Sequence, residues 1–304
     1  VFGDELILGS FLLYILPITL LLILFCNLDI DKNKIYLIFF FSFYLIIVYI
    51  SGSRAPLFLT ILFVLMLIIF EKKYRNIFLK SLLIFAVFVA CQGYFKFGKT
   101  KIFERIFYAT FIEVTGHYYE NKKYENKNVN ETRSNDEEVD VNKLDEKNKI
   151  NEFLSSLKVF TVYHQNHYLL AINLFKEKPF LGHGPKGFRE YCRDVDYDAP
   201  IGMCSTHPHN YFFQILSELG LVGILFYLLS LIFIIIKFTK FLVKKKHICR
   251  SKFIIISLGL IVILYPVVPS GNFFNNWISI INYYYIGIYF YLYNQTLKNS
   301  DLIK

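Results

Sequence analysis

Residues 204–236 read CSTHPHNYFFQILSELGLVGILFYLLSLIFIII, a short polar segment followed by a long apolar run. The run is long enough to cross a membrane, because roughly 20 apolar residues in a helix span the core of a bilayer. Pro208 is tolerated in the first turn of such a helix. His209 and Asn210 are therefore predicted at the mouth of a membrane-spanning helix, where they either cap the helix or bind a ligand.

The rest of the chain has the composition of a membrane protein. Of its 304 residues, 55% are hydrophobic and 19% are aromatic, and the apolar residues form long runs. This pattern excludes an ordinary soluble enzyme, a disordered protein and a small secreted domain held by disulfides. We expect further spans before Val1, because membrane-like sequence follows it at once. The predicted fold is an all-α polytopic membrane protein with about seven transmembrane helices, near residues 6–26, 35–51, 54–70, 77–93, 210–236, 253–269 and 273–293.

Basic residues in the short loops predict the orientation. Lys and Arg accumulate on the cytoplasmic side of membrane proteins, and three loops carry them, at 32–34, 72–75 and 237–252. All three fall on one side if the spans alternate, and we assign that side to the cytoplasm. Much of the net charge of +9 is then explained by topology, so the expected surroundings are membrane lipids and no nucleic-acid partner is expected. The predicted divisions are N-terminal spans (1–93), one large outward loop (94–208), C-terminal spans (209–293) and a cytoplasmic tail (294–304). In a bacterium with two membranes, the chain would lie in the inner membrane and the outward loop would face the periplasm.

The large outward loop changes composition along its length. Residues 119–149 are too polar to bury a core and are predicted to be disordered or variable. Between 151 and 175, apolar residues recur at near-helical spacing, which predicts an amphipathic helix that ends before Pro179. A glycine-rich turn follows, and three basic residues accompany it outside the membrane: Lys186, Arg189 and Arg193.

Cys192 and Cys204 also lie in the outward loop, twelve positions apart. An oxidising compartment favours a disulfide between them, and closing a loop of that size would add roughly 3 kcal/mol of stability. Two free thiols are one alternative. Zinc is another, with His207 and His209 as further ligands, but the spacing of the four residues fits no standard zinc pattern. We therefore expect neither a metal nor a cofactor.

A second polar segment, Ser51-Gly-Ser-Arg54-Ala-Pro56, opens the span at 54–70. Arg54 is thus predicted at an outward helix N-terminus, as His209 is. Two such termini bearing an arginine and a histidine suit a phosphate or diphosphate. Simpler alternatives stay open, because Arg54 can extend to lipid headgroups and His209 can be one of several polar residues that cap a helix at the membrane edge.

Three motifs, in this order, resemble the O-antigen ligase and O-antigen polymerase superfamily. They are Ser51-Gly-Ser-Arg54, then Pro179-Phe-Leu-Gly182-His-Gly184, then His209-Asn210 followed after nine residues by Gly220-Leu-Val-Gly223. The resemblance extends over most of the chain. It implies an inner-membrane glycosyltransferase of the GT-C type, which takes a glycan from an undecaprenyl-diphosphate carrier, inverts the anomeric configuration and needs no metal.

The resemblance also implies roles for individual residues. His209 matches the family's loop histidine, expected to act as a general base or, alternatively, as a cationic phosphate ligand. Arg54 matches the arginine at the membrane edge. Where the family has a further arginine, this chain has His164, so Arg189 is expected to take that arginine's place at the diphosphate. The residues expected to bind substrate are Asn210, Lys186, Arg193, His164 and Glu218.

Several functions share these motifs. A ligase would use lipid A-core as the acceptor, a polymerase a second lipid-linked glycan, and a protein oligosaccharyltransferase a protein. The His-Asn and glycine spacing favours the ligase. Two alternatives come from other classes: a transporter of lipid-linked glycan or another anion, and a purely structural membrane subunit. Transporters often bind substrate near the bilayer midplane, whereas the polar residues here are predicted at the outer edge.

Overall fold

A computed structural model of the chain describes residues 7–25, 30–95, 101–103, 106–107, 162–194, 204–243, 250–266 and 268–301. The predicted disordered segment, 119–149, lies outside these residues. The regular elements in the described ranges are helical. Besides a helical turn at Lys101–Phe103, they are α1 (Ile7–Phe25), α2 (Ile30–Ile50), α3 (Arg54–Phe70), α4 (Arg75–Phe95), α5 (Val162–Glu177), α6 (Gly187–Asp194), α7 (Tyr211–Val243), α8 (Arg250–Ile263) and α9 (Asn276–Asp301).

Each of the seven predicted spans overlaps a helix, although α8 ends at Ile263, before the predicted end of its span at 269. Four helices are long and apolar enough to cross a membrane. These four lie at Leu8–Phe25, Lys32–Ile50, Arg75–Tyr94 and Tyr211–Val243. α3 is apolar but has 17 residues, and α8 has 14. The all-helical, multi-pass architecture is therefore supported, while the count of seven spans stays a prediction. α9 continues to Asp301, into the predicted cytoplasmic tail.

α8 is the central helix of the bundle and packs against α1, α3, α7 and α9. It is apolar on every face, as expected for a helix surrounded by others, and Ile254 and Ile256 are fully buried. A Cβ placed on Gly259 would lie 2.9 Å from the Cβ of Pro17. Glycine at this position therefore lets α1 approach α8 closely.

The two ends of the bundle differ in charge. At one end, the Lys252 ammonium lies 3.8 Å from the ring centroid of Phe25, which joins the start of α8 to the end of α1. At the other end, Gly9 of α1 lies against the turn before α3, since a Cβ on Gly9 would be 2.6 Å from Ser51 Oγ. The basic loops thus lie at the end away from the polar turn that precedes Arg54. This arrangement agrees with the predicted alternation of spans.

α7 is broken at Gly220, which has φ 62° and ψ −156°. The break leaves two carbonyls before it and two amides after it without their partners in the helix. The turn at 179–184 pairs with all four groups. The four backbone bonds are Leu221 N–H to Pro179 O (2.8 Å), Val222 N–H to Phe180 O (3.2 Å), His183 N–H to Ser217 O (3.1 Å) and Gly184 N–H to Glu218 O (2.8 Å).

Glycine is required on both sides of this backbone contact. Gly182 and Gly220 have φ of +67° and +62°, a region that residues with a Cβ rarely enter. A Cβ on Gly220 would lie 2.5 Å from Phe180 O, and a Cβ on Gly182 would overlap the backbone of Glu218. The motif at 179–184 and the motif that contains Gly220 therefore form one backbone contact. Hydropathy alone had predicted an unbroken helix at α7.

Candidate functional site

Four imidazoles form a cluster at the end of the bundle that carries Arg54, and we call these four residues the histidine cluster. His164 and His167 lie on α5, and His207 and His209 lie in the segment before α7. The ring centroid of His209 is 4.1 Å from that of His207, 5.4 Å from that of His167 and 5.8 Å from that of His164. His209 thus contacts or approaches all three of the other rings.

Arg54 is brought to this cluster by the turn before α3. Ser53 occupies the N-cap position with extended backbone, φ −88° and ψ 109°, and Arg54 is the first residue of the helix. Burial and the charges of neighbouring groups, Arg54 among them, lower the pKa of His164 to about 4. The two sequence motifs around Arg54 and His209 therefore meet at one site.

The backbone at His209 adopts an unusual conformation. Its φ of 55° lies in the left-handed region, which is uncommon for residues other than glycine. The His209 carbonyl accepts a hydrogen bond of 2.8 Å from Ser270 N–H, and Ser270 Oγ accepts one of 3.0 Å from Tyr211 N–H. Strained conformations of this kind persist where the surroundings hold them and are concentrated at functional sites.

Asn210 holds the start of α7 in place. Its Oδ1 accepts a bond from Phe213 N–H at 3.3 Å, which is a helix cap, and its Nδ2 donates to Pro266 O at 2.8 Å. The side chain is 1% exposed. Asn210 was expected to bind substrate, and the structure places its amide in contacts that position His209.

Glu218 is fully buried and supports the start of α6. Its Oε2 accepts a bond of 2.9 Å from Lys186 N–H, and its carboxylate also accepts one from Phe188 N–H. A carboxylate is well suited to a helix N-terminus, where amides point outward. The expected substrate ligand Glu218 thus lies beneath α6, whose basic residues Arg189 and Arg193 are exposed.

α6 is also linked covalently to the segment that carries His207 and His209. Cys192 and Cys204 form a disulfide with a Cα–Cα distance of 5.3 Å. Because the two sulfurs are bonded to each other, they are not available as ligands for the alternative zinc site. Among the described residues, no group of three or more His, Cys, Asp or Glu side chains is arranged to hold a metal ion.

The imidazoles of His164, His207 and His209 are neutral at pH 7. Burial, together with the charge of His167, lowers the pKa of His209 to about 4. Burial and the charge of His209 are the main causes that lower the pKa of His207 to about 3. A neutral imidazole can accept a proton, so the site can remove one from a hydroxyl group without first losing its own.

His167 was not among the residues selected from the sequence, and His207 was named only as an alternative zinc ligand. His164 and His167 are three residues apart on one helix, so they share a face, which is a signal for His167. Nothing in the spacing indicates that this face meets the segment before α7, because that contact joins residues about 40 positions apart in sequence.

The fold and the site define a multi-pass helical membrane protein with a cluster of histidines and an arginine at one end of the helical bundle. A family model described as O-antigen ligase matches residues 37–228, a segment that includes Arg54, His164 and His209. The match covers more than half of the chain, and the protein belongs to the O-antigen ligase family. The resemblance predicted from the motifs is thereby confirmed. No curated protein and no solved structure matches the chain.

Proposed function

We propose that the protein transfers a glycan from undecaprenyl diphosphate to a sugar hydroxyl at the periplasmic face of the bacterial inner membrane. Members of its family are glycosyltransferase-like enzymes. The observation that carries the proposal is the convergence of Arg54 and His164 with His209 at one end of the bundle. Arg54 acts on His164, whose ring centroid is 5.8 Å from that of His209. A cation and a neutral base at one site match the two needs of the reaction, which are to stabilise a leaving diphosphate and to remove a proton.

In the proposed reaction, the acceptor hydroxyl gives its proton to the neutral imidazole of His209. Its oxygen attacks the anomeric carbon as the bond from that carbon to the diphosphate oxygen breaks, and the electron pair of that bond leaves with the diphosphate. Arg54 stabilises the negative charge that develops there. Attack by one nucleophile on the face opposite the leaving group inverts the anomeric configuration.

We assign supporting roles in substrate binding to the remaining basic residues. His164 interacts electrostatically with Arg54, so we assign it to the diphosphate beside that arginine. Arg189 and Lys186 are exposed on or next to α6, and Arg193 pairs with Glu190 at 2.7 Å. We propose that the first two contact the anionic or sugar portions of the substrates as these approach the cluster.

The ligase, with lipid A-core as the acceptor, is favoured because the matching family is described as O-antigen ligase. The polymerase, with a second lipid-linked glycan, is the alternative within the same chemistry. The position of the polar cluster at one end of the bundle supports an enzyme over the transporter alternative, which needs access from both sides.

The proposal is tested by lipopolysaccharide gels of a strain that lacks the gene. Loss of all long-chain bands, with accumulation of lipid-linked polymer, indicates a ligase, and a single repeat on the core indicates a polymerase. Complementation with Arg54→Lys or His209→Ala is expected to fail. The matched control is Arg75→Lys, since Arg75 opens α4 as Arg54 opens α3 but bonds Ile68 O at 2.9 Å. Full restoration by both site variants would contradict the proposal.

The role of His209 is tested by the pH dependence of transfer at saturating donor. A base must be neutral, so activity is present above its pKa and is lost as the pH falls through that value. A cationic phosphate ligand gives the opposite result, with loss as the pH rises.

A further inference from the structure

The histidine cluster contains more imidazoles than the proposed reaction uses. His209 serves as the base and His164 lies beside Arg54, which leaves His167 and His207 without a role. The Nδ1 of His207 is 3.0 Å from Thr206 Oγ1, and the backbone of Ser270 also faces the ring. Its Nε2 is buried and has no hydrogen-bond partner of normal geometry among the described residues. The side chain is 9% exposed. Buried polar atoms are rarely left unpaired in proteins, so this nitrogen points to a ligand.

The groups that face the cluster come from four parts of the chain. α3 contributes Arg54, α5 contributes Tyr168 beside its two histidines, the segment before α7 contributes Thr206 and Asn210, and the segment before α9 contributes the backbone of Ser270. The charges that act on His207 and His209 are those of the other imidazoles, and Arg54 acts in addition on His164. Among these described groups there is no carboxylate to balance a protonated histidine.

We infer that the four histidines act as one anion-binding unit, which takes up about one proton when the diphosphate of the donor occupies the site. The inference rests on the proposed function and extends it to His167 and His207. The proton comes from the solvent and is held on an imidazole nitrogen, and no bond of the substrate changes in this step.

Electrostatics sets the number of protons. In the empty site, burial and mutual repulsion keep His164, His207 and His209 neutral at pH 7. One negative charge about 4 Å from an imidazole favours its protonated form by about a thousandfold at an effective dielectric constant of about 20. Once one imidazole is protonated, its positive charge disfavours protonation of a second imidazole to a comparable extent, because the ring centroids lie 4.1 to 6.4 Å apart. Uptake therefore stops near one proton, and His209 can stay neutral for its role as the base.

The test uses the full chain in lipid nanodiscs and farnesyl-diphospho-N-acetylglucosamine as the probe. The two phosphates of this diester do not titrate between pH 6 and 8, so any proton exchange belongs to the protein. Calorimetric titrations at pH 7 in two buffers of different ionisation enthalpy give the number of protons taken up. We expect about one proton per bound probe, and an affinity that falls up to about tenfold for each pH unit above 7.

Variants connect the proton to the cluster. His167→Gln and His207→Gln retain a hydrogen-bonding amide but cannot be protonated, and each is expected to reduce the uptake and flatten the pH dependence. His183→Gln is the control, because His183 lies outside the cluster and bonds Leu174 O at 3.0 Å. If a variant does not fold, the pH dependence of the wild-type protein still decides the question.

The outcomes separate the inference from the proposed function. Tight binding of the probe with no proton uptake overturns the inference and leaves the proposed function standing. Uptake that persists in both glutamine variants also overturns it. If the wild-type protein does not bind the probe, and the Arg54→Lys variant transfers glycan normally, both are overturned.

Discussion

Replacing Gly220 with alanine is expected to be severely destabilising, because two costs add at this position. An alanine held at φ +62° costs about 1–2 kcal/mol. Its Cβ would also lie 2.5 Å from Phe180 O and 2.7 Å from Gly182 N, so the turn at 179–184 would have to move away. Breaking the bonds that Leu221 and Val222 donate adds about 1–3 kcal/mol for each amide left without a partner. The expected total is about 3–8 kcal/mol.

Two other glycines separate these costs. Gly184 has φ +86° but open space where a Cβ would lie, so Gly184→Ala tests the backbone cost alone, about 1–2 kcal/mol. Gly287, on an exposed face of α9, has open space and no positive φ, so Gly287→Ala is expected to stabilise by about 0.5–1 kcal/mol. Thermal unfolding in detergent, followed by the fluorescence of Trp277, ranks the three variants. A Gly220→Ala protein whose melting temperature is no lower than that of Gly184→Ala would refute the reasoning about the contact between the turn at 179–184 and Gly220.

Three further outcomes follow from the site. Burial lowers the pKa of His209 to about 4, below its usual value near 6.5, so the unfolded chain binds more protons than the folded protein between these two pH values. Thermal stability is therefore expected to be complete above about pH 6.5 and to fall between pH 6.5 and 4. A melting temperature that does not change over this range would contradict the buried, neutral state of His209. Replacing Cys192 and Cys204 with serine is expected to cost roughly 3 kcal/mol and to lower glycan transfer, with reductant giving the same loss in the wild-type protein but none in the double variant. Glu218→Ala is expected to lower the melting temperature more than Glu218→Gln does, since only glutamine keeps an oxygen for the Lys186 amide; equal losses would argue against the contact with α6.

The helices could be predicted well from the sequence, because a bilayer permits few alternatives. Apolar runs must form helices there to satisfy their own backbone groups, and the predicted span at 54–70 has the same limits as α3. Pro179 likewise predicted that α5 ends near Glu177. Arg54 and His209 could be selected because polar residues at the ends of apolar runs are conspicuous.

The contacts between distant segments could not be predicted in this way. His167 reaches the site only because α5 packs on α7, and helical spacing does not show which helix a face will meet. The break at Gly220 is hidden for a related reason, since the residues on both sides of it are apolar and continue the same run. Its cause lies in the turn at 179–184, which hydropathy does not connect to α7.

The break in α7 explains how a membrane helix can also organise an outward site. In an unbroken helix, the carbonyls of Ser217 and Glu218 would be used inside the helix, and the turn at 179–184 would have no backbone groups to pair with. The break at Gly220 divides α7 into a first portion and a longer second portion. Side chains at the start of the first portion and within it contact neighbouring segments. Through Asn210 and Gln214 the first portion holds the segment before α9, and through Glu218 it holds α6. The same residues therefore fix the loops around the histidine cluster. For this reason Gly220, although it lies more than two turns into α7, affects the site at the start of that helix.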